Sequence, residues 1–308
     1  MVKIKDIMKF LNDSNIVFEY YGNKENKIDG ICSISNQKDK CLTWIKNVYD
    51  FDLKKLNDSF DLTVVCNNTD IFDINNNLNW IMCDYPKKVF FMIIDRFFGS
   101  NKGQDGISDS AIIETRTIGE NARIGANSYL CEDVIVGDNV CIKNNVSIEC
   151  KCVIGNNVTI GSGTVIGTDG FGYYKDDKGF YCKVPHCGGV EIKDNVEIGA
   201  NVCIDKGTID DTIIGKNVKI DNLCHVGHNV IIEDNSLIIA LSMLGGSSYI
   251  EKDAYIAPGS IIKNQVTIGE GSIVGIGAMV LDNVEGGVVM VGSPAKKLRN
   301  VNPKGEKL

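Results

Sequence analysis

His186, His225 and His228 are the only histidines in this 308-residue chain, and one of them has a spacing that suits acyl transfer. His228 precedes Gly246, in Gly245-Gly246-Ser247, by 18 residues. In a solenoid with a coil of about 18 residues, that spacing stacks an imidazole under a bare backbone N–H. A base takes a proton from a nucleophile, and an N–H aimed at the same space stabilises an oxyanion. Imidazole suits the first role because its reference pKa is about 6.5. The alternative is two surface histidines, His225 and His228, beside a glycine corner. His186 follows Val184-Pro185 in an irregular stretch and reads as a solvated loop residue. Other chemistries lack their residues. No carboxylates stand at ligand spacing from the histidines, so a metal site is not expected. Neither a GxSxG elbow nor a Walker sequence occurs. Asp210-Asp211 reads as a solvated pair in a polar turn.

The elements that must position these groups repeat every six residues. Each sixth residue is Ile, Leu or Val from Ile112 to Ile166 and again from Ile214 to Val280, with Ile192, Ile198 and Ile204 in step between them. A period of six fits neither a helix nor simple strand alternation. It predicts a hexapeptide β-helix, in which short strands send one aliphatic side chain inward and then turn a corner. Each coil buries its aliphatics against the coils above and below. Two interruptions, Ile166 to Ile192 and Ile204 to Ile214, predict loops leaving one face. Asp169-Gly-Phe-Gly-Tyr173 lies in the first and Asp205 to Thr212 in the second.

Residues 1–100 lack this rhythm and read as a small α/β domain. Ile4, Ile7, Met8 and Leu11 mark one face of a first helix, and Lys87 to Phe98 a second. Strands are predicted near Gly30–Ser35, Lys40–Trp44 and Leu62–Cys66. Residues 101–285 are assigned to the β-helix and 286–308 to a short C-terminal tail. A net charge of −8 with no basic stripe argues against nucleic acid as a partner. The longest apolar run, Val89 to Ile94, is too short to span a bilayer, and the charged N-terminus does not read as a signal peptide. Twelve Cys without a CxxC pair read as reduced, small apolar residues of a cytoplasmic protein.

Three stretches resemble the UDP-3-O-(3-hydroxyacyl)glucosamine N-acyltransferases of lipid A biosynthesis: Ile160-Gly-Ser-Gly-Thr-Val-Ile-Gly-Thr-Asp-Gly-Phe-Gly-Tyr173, Val196 to Gly215 with its Ile204-Asp-Lys-Gly-Thr-Ile-Asp-Asp-Thr212, and Lys219-Ile-Asp-Asn-Leu-Cys-His-Val-Gly-His-Asn-Val230. The resemblance implies a left-handed parallel β-helix, a homotrimer with sites in the clefts between subunits, and a nucleotide-binding N-terminal domain. It makes His228 the base that deprotonates a sugar 2-amine and Gly246 the oxyanion donor. Asp221 and Asn222 match polar positions near the site. Trp44, within Leu42-Thr-Trp-Ile-Lys-Asn47, falls where an aromatic ring meets the uracil, with Asn47 beside it and Tyr49 as a second ring. The implied acyl donor is an acyl carrier protein, with no further cofactor.

This chain departs from that pattern in three places. Gln265 replaces a second family histidine and can hydrogen-bond but carries no proton at neutral pH. His225 stands where the family has an aliphatic or polar residue. The ending after Val291-Gly-Ser-Pro-Ala-Lys-Lys-Leu-Arg299 resembles that of hexapeptide acetyltransferases that use coenzyme A. The expected function is therefore N-acylation of UDP-3-O-acylglucosamine from a carrier protein. The alternatives are a coenzyme A-dependent N-acyltransferase of another nucleotide-linked amino sugar for a surface glycan, or a sugar-binding solenoid without activity.

Overall fold

A computed structural model describes residues 1–56, 60–67, 78–99 and 106–301. The chain divides into two compact units, Met1–Gly103 and Gln104–Leu308. In the first, a five-stranded sheet runs in the order Glu19–Tyr21, Asn79–Met82, Thr63–Cys66, Cys41–Trp44, Gly30–Ile31, parallel except at the first pair. Helix α1 (Ile4–Asp13) buries Ile4, Ile7 and Leu11, and helix α2 (Pro86–Phe98) buries Val89, Phe90 and Ile93. Pro86 opens α2, where its missing N–H leaves no helical bond unmade. The strand Asn79–Met82 had no signal of its own in the sequence. It is buried throughout, so it shows no alternation to read.

The second unit is a parallel β-helix of three faces. Successive coils lay one short strand on each face in turn, as Arg123–Ile124 on face one, Tyr129–Leu130 on face two and Val134–Val136 on face three. The next coil repeats the order 18 residues later and pairs in register, Ile124 with Ile142 and Leu130 with Ile148. The hexad aliphatics from Ile124 to Val280 form the central core. Ile112 does not join it. Ile113 pairs with Leu130, so Ile112 points outward and is 61% exposed. A shift of one residue in a strand exchanges its two faces. Ile238, midway along the stack, is fully buried. Ile238→Ala is expected to cost about 2–5 kcal/mol, whereas Ile112→Ala should stay within about 0.5 kcal/mol. Urea midpoints of the two variants would check this, and equal shifts would refute the register.

Corners explain the chain's many asparagines. Asn121, Asn139, Asn157, Asn217 and Asn235 take left-handed φ near +57°, which Asn tolerates better than other non-glycine residues. Their side chains also stack from coil to coil, as Asn217 Nδ2 donating to Asn235 Oδ1 at 2.9 Å. The expected tail is partly a continuation of the helix. Val288–Val291 pairs with Ile273–Val274 on face one, and the exposed strand Lys296–Asn300 folds back against it as a polar cap. All twelve Cys are free thiols. No helix among the described residues is long and apolar enough to cross a membrane.

Candidate active site

Both interruptions leave the corner between faces two and three, on successive coils. Ile166 pairs with Ile204 across a coil of 38 residues, and Ile192 pairs with Ile214 across one of 22. The first insertion carries the antiparallel hairpin Tyr173–Lys175 with Tyr181–Lys183. Asp169 anchors its base through ion pairs to Lys183 at 2.5 Å and Lys206 at 3.0 Å. Those two ammonium groups hold the Asp169 carboxyl down at about 2. The second insertion turns so tightly that a side-chain carbon on Gly207 would collide with the Asp210 carbonyl oxygen. The next coil places His228 at this corner, after His225–Val226 on face two, and the coil after that places Gly245-Gly246. The two loops, His228 and Gly246 therefore form one column along one edge.

The network around His228 fixes its tautomer. Asn229 Nδ2 donates to the Asp210 carbonyl at 2.9 Å, and Asn229 Oδ1 accepts from Thr208 N–H at 3.0 Å. That same oxygen lies 3.1 Å from His228 Nδ1. Because it is an acceptor, Nδ1 carries the hydrogen and Nε2 keeps a bare lone pair. Gly246 covers that nitrogen: a first side-chain carbon there would lie 2.6 Å from Nε2. At some corners on the other edges the turn N–H is capped by the next coil, as Ala126 N–H donating to Asn144 Oδ1 at 2.9 Å. Among the described residues, Gly246 N–H has no acceptor. His228 and Gly246 thus lie one above the other at the 18-residue separation.

His186 is not the solvated loop residue expected. It is 7% exposed, and its ring meets that of His228 edge to face at a centroid distance of 5.3 Å. The 38-residue coil folds it back onto the column. Asp205, unassigned from sequence, is also 7% exposed. Thr168 Oγ1 donates to its Oδ1 at 3.0 Å, and His225 Nε2 stands 3.7 Å from its Oδ2. Burial raises the Asp205 carboxyl above the ordinary carboxylate range, opposed by His225, by the Thr168 hydroxyl and by His228 and His186. A polar residue directly after the inward Ile204 was the available signal, but it reads equally as a solvated corner.

A groove of ≈ 530 Å³ runs along this edge past Phe171, Asp205, His225, His228 and Gly246. Beyond Gly246 its wall is apolar. Met243, Ile261 and Met279 lie directly above one another on face two, pointing outward in line with His225. Lys263 and Asn264 mark the polar margin.

Other expected site residues fall elsewhere. Asp221 and Asn222 occupy the corner between faces one and two. There Asp221 Oδ1 accepts from Asn222 N–H at 2.7 Å, and Asn222 Oδ1 accepts from Ala200 N–H at 2.7 Å. Within one chain they do not line the His228 groove. Gln265 is exposed, with left-handed φ of 61°, and donates its N–H to the Gly246 carbonyl at 3.0 Å. In the N-terminal unit, Trp44 and Asn47 line a groove of ≈ 980 Å³ with Phe90, Phe91 and Lys46. Trp44 stacks on Phe90 at 6.1 Å, so one ring face belongs to the core. Asn47 is spent on the following turn, accepting from Tyr49 N–H and donating to Asp50. Tyr49 is 73% exposed and lies outside that groove. Among the described residues, no cluster of three or more His, Cys, Asp or Glu could hold a metal.

Residues 117–150 and 211–246 match the family model described as bacterial transferase hexapeptide (six repeats). The chain is 42% identical over 134 residues to a UDP-3-O-acylglucosamine N-acyltransferase of Rhodopseudomonas palustris, covering 44% of this chain and 36% of that protein. It is 51% identical over 84 residues to a protein of the same description from Coxiella burnetii, covering 27% and 25%. These matches span well under half the length of the curated relatives. Among solved structures, a UDP-N-acetylglucosamine acyltransferase from Bacteroides fragilis is similar with TM-score 0.56 and 27% identity, over 62% of this chain and 72% of that one. One from Acinetobacter baumannii, at 21% identity and TM-score 0.57 over 63% and 74%, shares the fold.

Proposed function

We propose, from a chain that is a hexapeptide-repeat β-helix similar to the UDP-3-O-acylglucosamine N-acyltransferases, that it catalyses the same transfer: a 3-hydroxyacyl group passes from acyl carrier protein to the 2-amine of UDP-3-O-acylglucosamine. The observation that carries this reading is the bare Nε2 of His228 against Gly246, whose N–H has no acceptor among the described residues. His228 Nε2 takes a proton as the amine attacks the thioester carbonyl. Gly246 N–H stabilises the oxyanion, and the proton returns to the departing thiolate. The Thr208 hydroxyl lies 3.4 Å from His228 Nδ1, the nitrogen that carries the ring hydrogen, and not at the bare Nε2 that would activate it, which supports direct transfer without a covalent enzyme intermediate. The outward ladder Met243, Ile261, Met279 gives an acyl chain an apolar wall. Trp44 offers one ring face to a nucleobase in the N-terminal groove. The reading includes a cytoplasmic homotrimer, in which Asp221 and Asn222 would meet a neighbour's His228 column.

The test incubates the protein with UDP-3-O-(3-hydroxyacyl)glucosamine and either hydroxyacyl carrier protein or the matching acyl coenzyme A, followed by mass spectrometry. A gain of one acyl mass with carrier protein is the expected result. A gain with coenzyme A alone would replace the donor. No gain with either donor would overturn the enzyme reading in favour of a binding solenoid.

A further inference from the structure

The outward column of face two has one ionisable rung at the foot of an apolar ladder. His225, Met243, Ile261 and Met279 stand directly above one another, each pairing with the next. All four line the His228 groove. His228 and Gly246 each follow their column residue, His225 and Met243, by three positions. The reacting corner and the foot of the ladder therefore lie on the same two coils. His225 is held from behind. Its Nε2 stands 3.7 Å from Oδ2 of Asp205, and the Thr168 hydroxyl holds the other carboxylate oxygen at 3.0 Å. The Asp205 side chain is 10% exposed, whereas that of His225 is 45% exposed and open to the groove. With Nε2 turned to the carboxylate, Nδ1 is the ring nitrogen left over, and it has no partner among the described residues.

Polar at the foot and apolar above is also the order of groups along a 3-hydroxyacyl chain. Its carbonyl belongs at the corner, the hydroxyl-bearing carbon is two bonds further on, and hydrocarbon follows. We propose that His225 is a specificity-determining residue for the acyl donor, pairing through Nδ1 with the 3-hydroxyl while Met243, Ile261 and Met279 take the hydrocarbon. This rests on the acyl-transfer reading and names what selects its donor. A hydroxyl both donates and accepts, so it suits either state of the ring. When the ring is neutral, Nδ1 accepts the hydroxyl hydrogen; when it is charged, Nδ1 donates to the hydroxyl oxygen. An acyl chain without the hydroxyl leaves Nδ1 against hydrocarbon with no partner. That loss is why a polar site rejects an analogue lacking the matching group.

The test compares 3-hydroxyacyl and unsubstituted acyl carrier proteins of equal chain length as donors for wild type, His225→Leu and His225→Gln. His225→Leu adds an apolar rung and should lower the kcat/KM preference for the hydroxylated donor about three- to tenfold. His225→Gln, whose amide can face Asp205 and the hydroxyl together, should recover most of that preference. Equal losses on both donors would mark a structural role and overturn the proposal, as would an unchanged ratio. A second readout needs no turnover. By calorimetry, wild type should bind 3-hydroxydodecanoyl-pantetheine more tightly than dodecanoyl-pantetheine, and His225→Leu should lose the difference. A wild type that binds both equally, or neither, would sink the assignment even where the transfer assay succeeds. A hydroxyl preference that disappears in His225→Leu, in a protein that transfers from no donor, would retain the contact while refuting the acyltransferase reading.

Discussion

His228→Ala is expected to lower kcat about 10²- to 10⁴-fold, the range for loss of a general base, with KM for the nucleotide-linked acceptor changed little. The ring is held from outside the core, by Asn229 and Thr208 on Nδ1, and packs against His186 rather than against the hexad aliphatics. Its removal should therefore leave the thermal midpoint almost where it was. Single-turnover rates with preloaded donor would separate chemistry from binding. A variant that retains wild-type rates would remove His228 from the mechanism.

Gly246→Ala is expected to act nearly as strongly through a single methyl group. That carbon would meet His228 Nε2 at 2.6 Å, inside van der Waals contact. Either the ring swings away from the acceptor or the Gly246 peptide moves off the oxyanion. Loss of one such donor alone costs about 10²–10³ in kcat. Gly246 does not have left-handed φ, so alanine adds no backbone strain there. The loss should thus appear in turnover while circular dichroism and the melting temperature hold. Wild-type activity in this variant would mean that the base and the donor do not share one reacting space.

Much of this was legible because hexad spacing fixes both the inward residues and the coil length. Those two facts alone bring His228 under Gly246. What was lost is whatever depends on the irregular coils. His186 precedes His228 by 42 positions in sequence, and no periodic count brings them together. Only the pairing of Ile166 with Ile204 across the 38-residue coil does so. The same strand pair slips register between Ile166 and Thr168, bringing Thr168 alongside Asp205, where a hydrogen bond holds a carboxylate that reads from sequence as a solvated corner. Ile112 failed for the opposite reason. It stands in the hexad count, yet the first coil pairs through Ile113. The left-handed corners give the chain's many asparagines a physical role that hexad counting does not supply.

The placement of both insertions on one edge has a consequence for how such a molecule can change over generations. Coils touch only their neighbours, and the ladders on the remaining edges run on unbroken past each inserted loop. Lengthening a corner loop costs only about 0.6 kcal/mol per doubling of its length. Mutation can therefore rewrite the Asp169–Val184 and Asp205–Asp211 segments, and with them the chemistry presented at the rim, while the inherited stack keeps its stability. Innovation and foldability are carried by different residues, which lets a lineage explore new ligands at that rim without first becoming unstable.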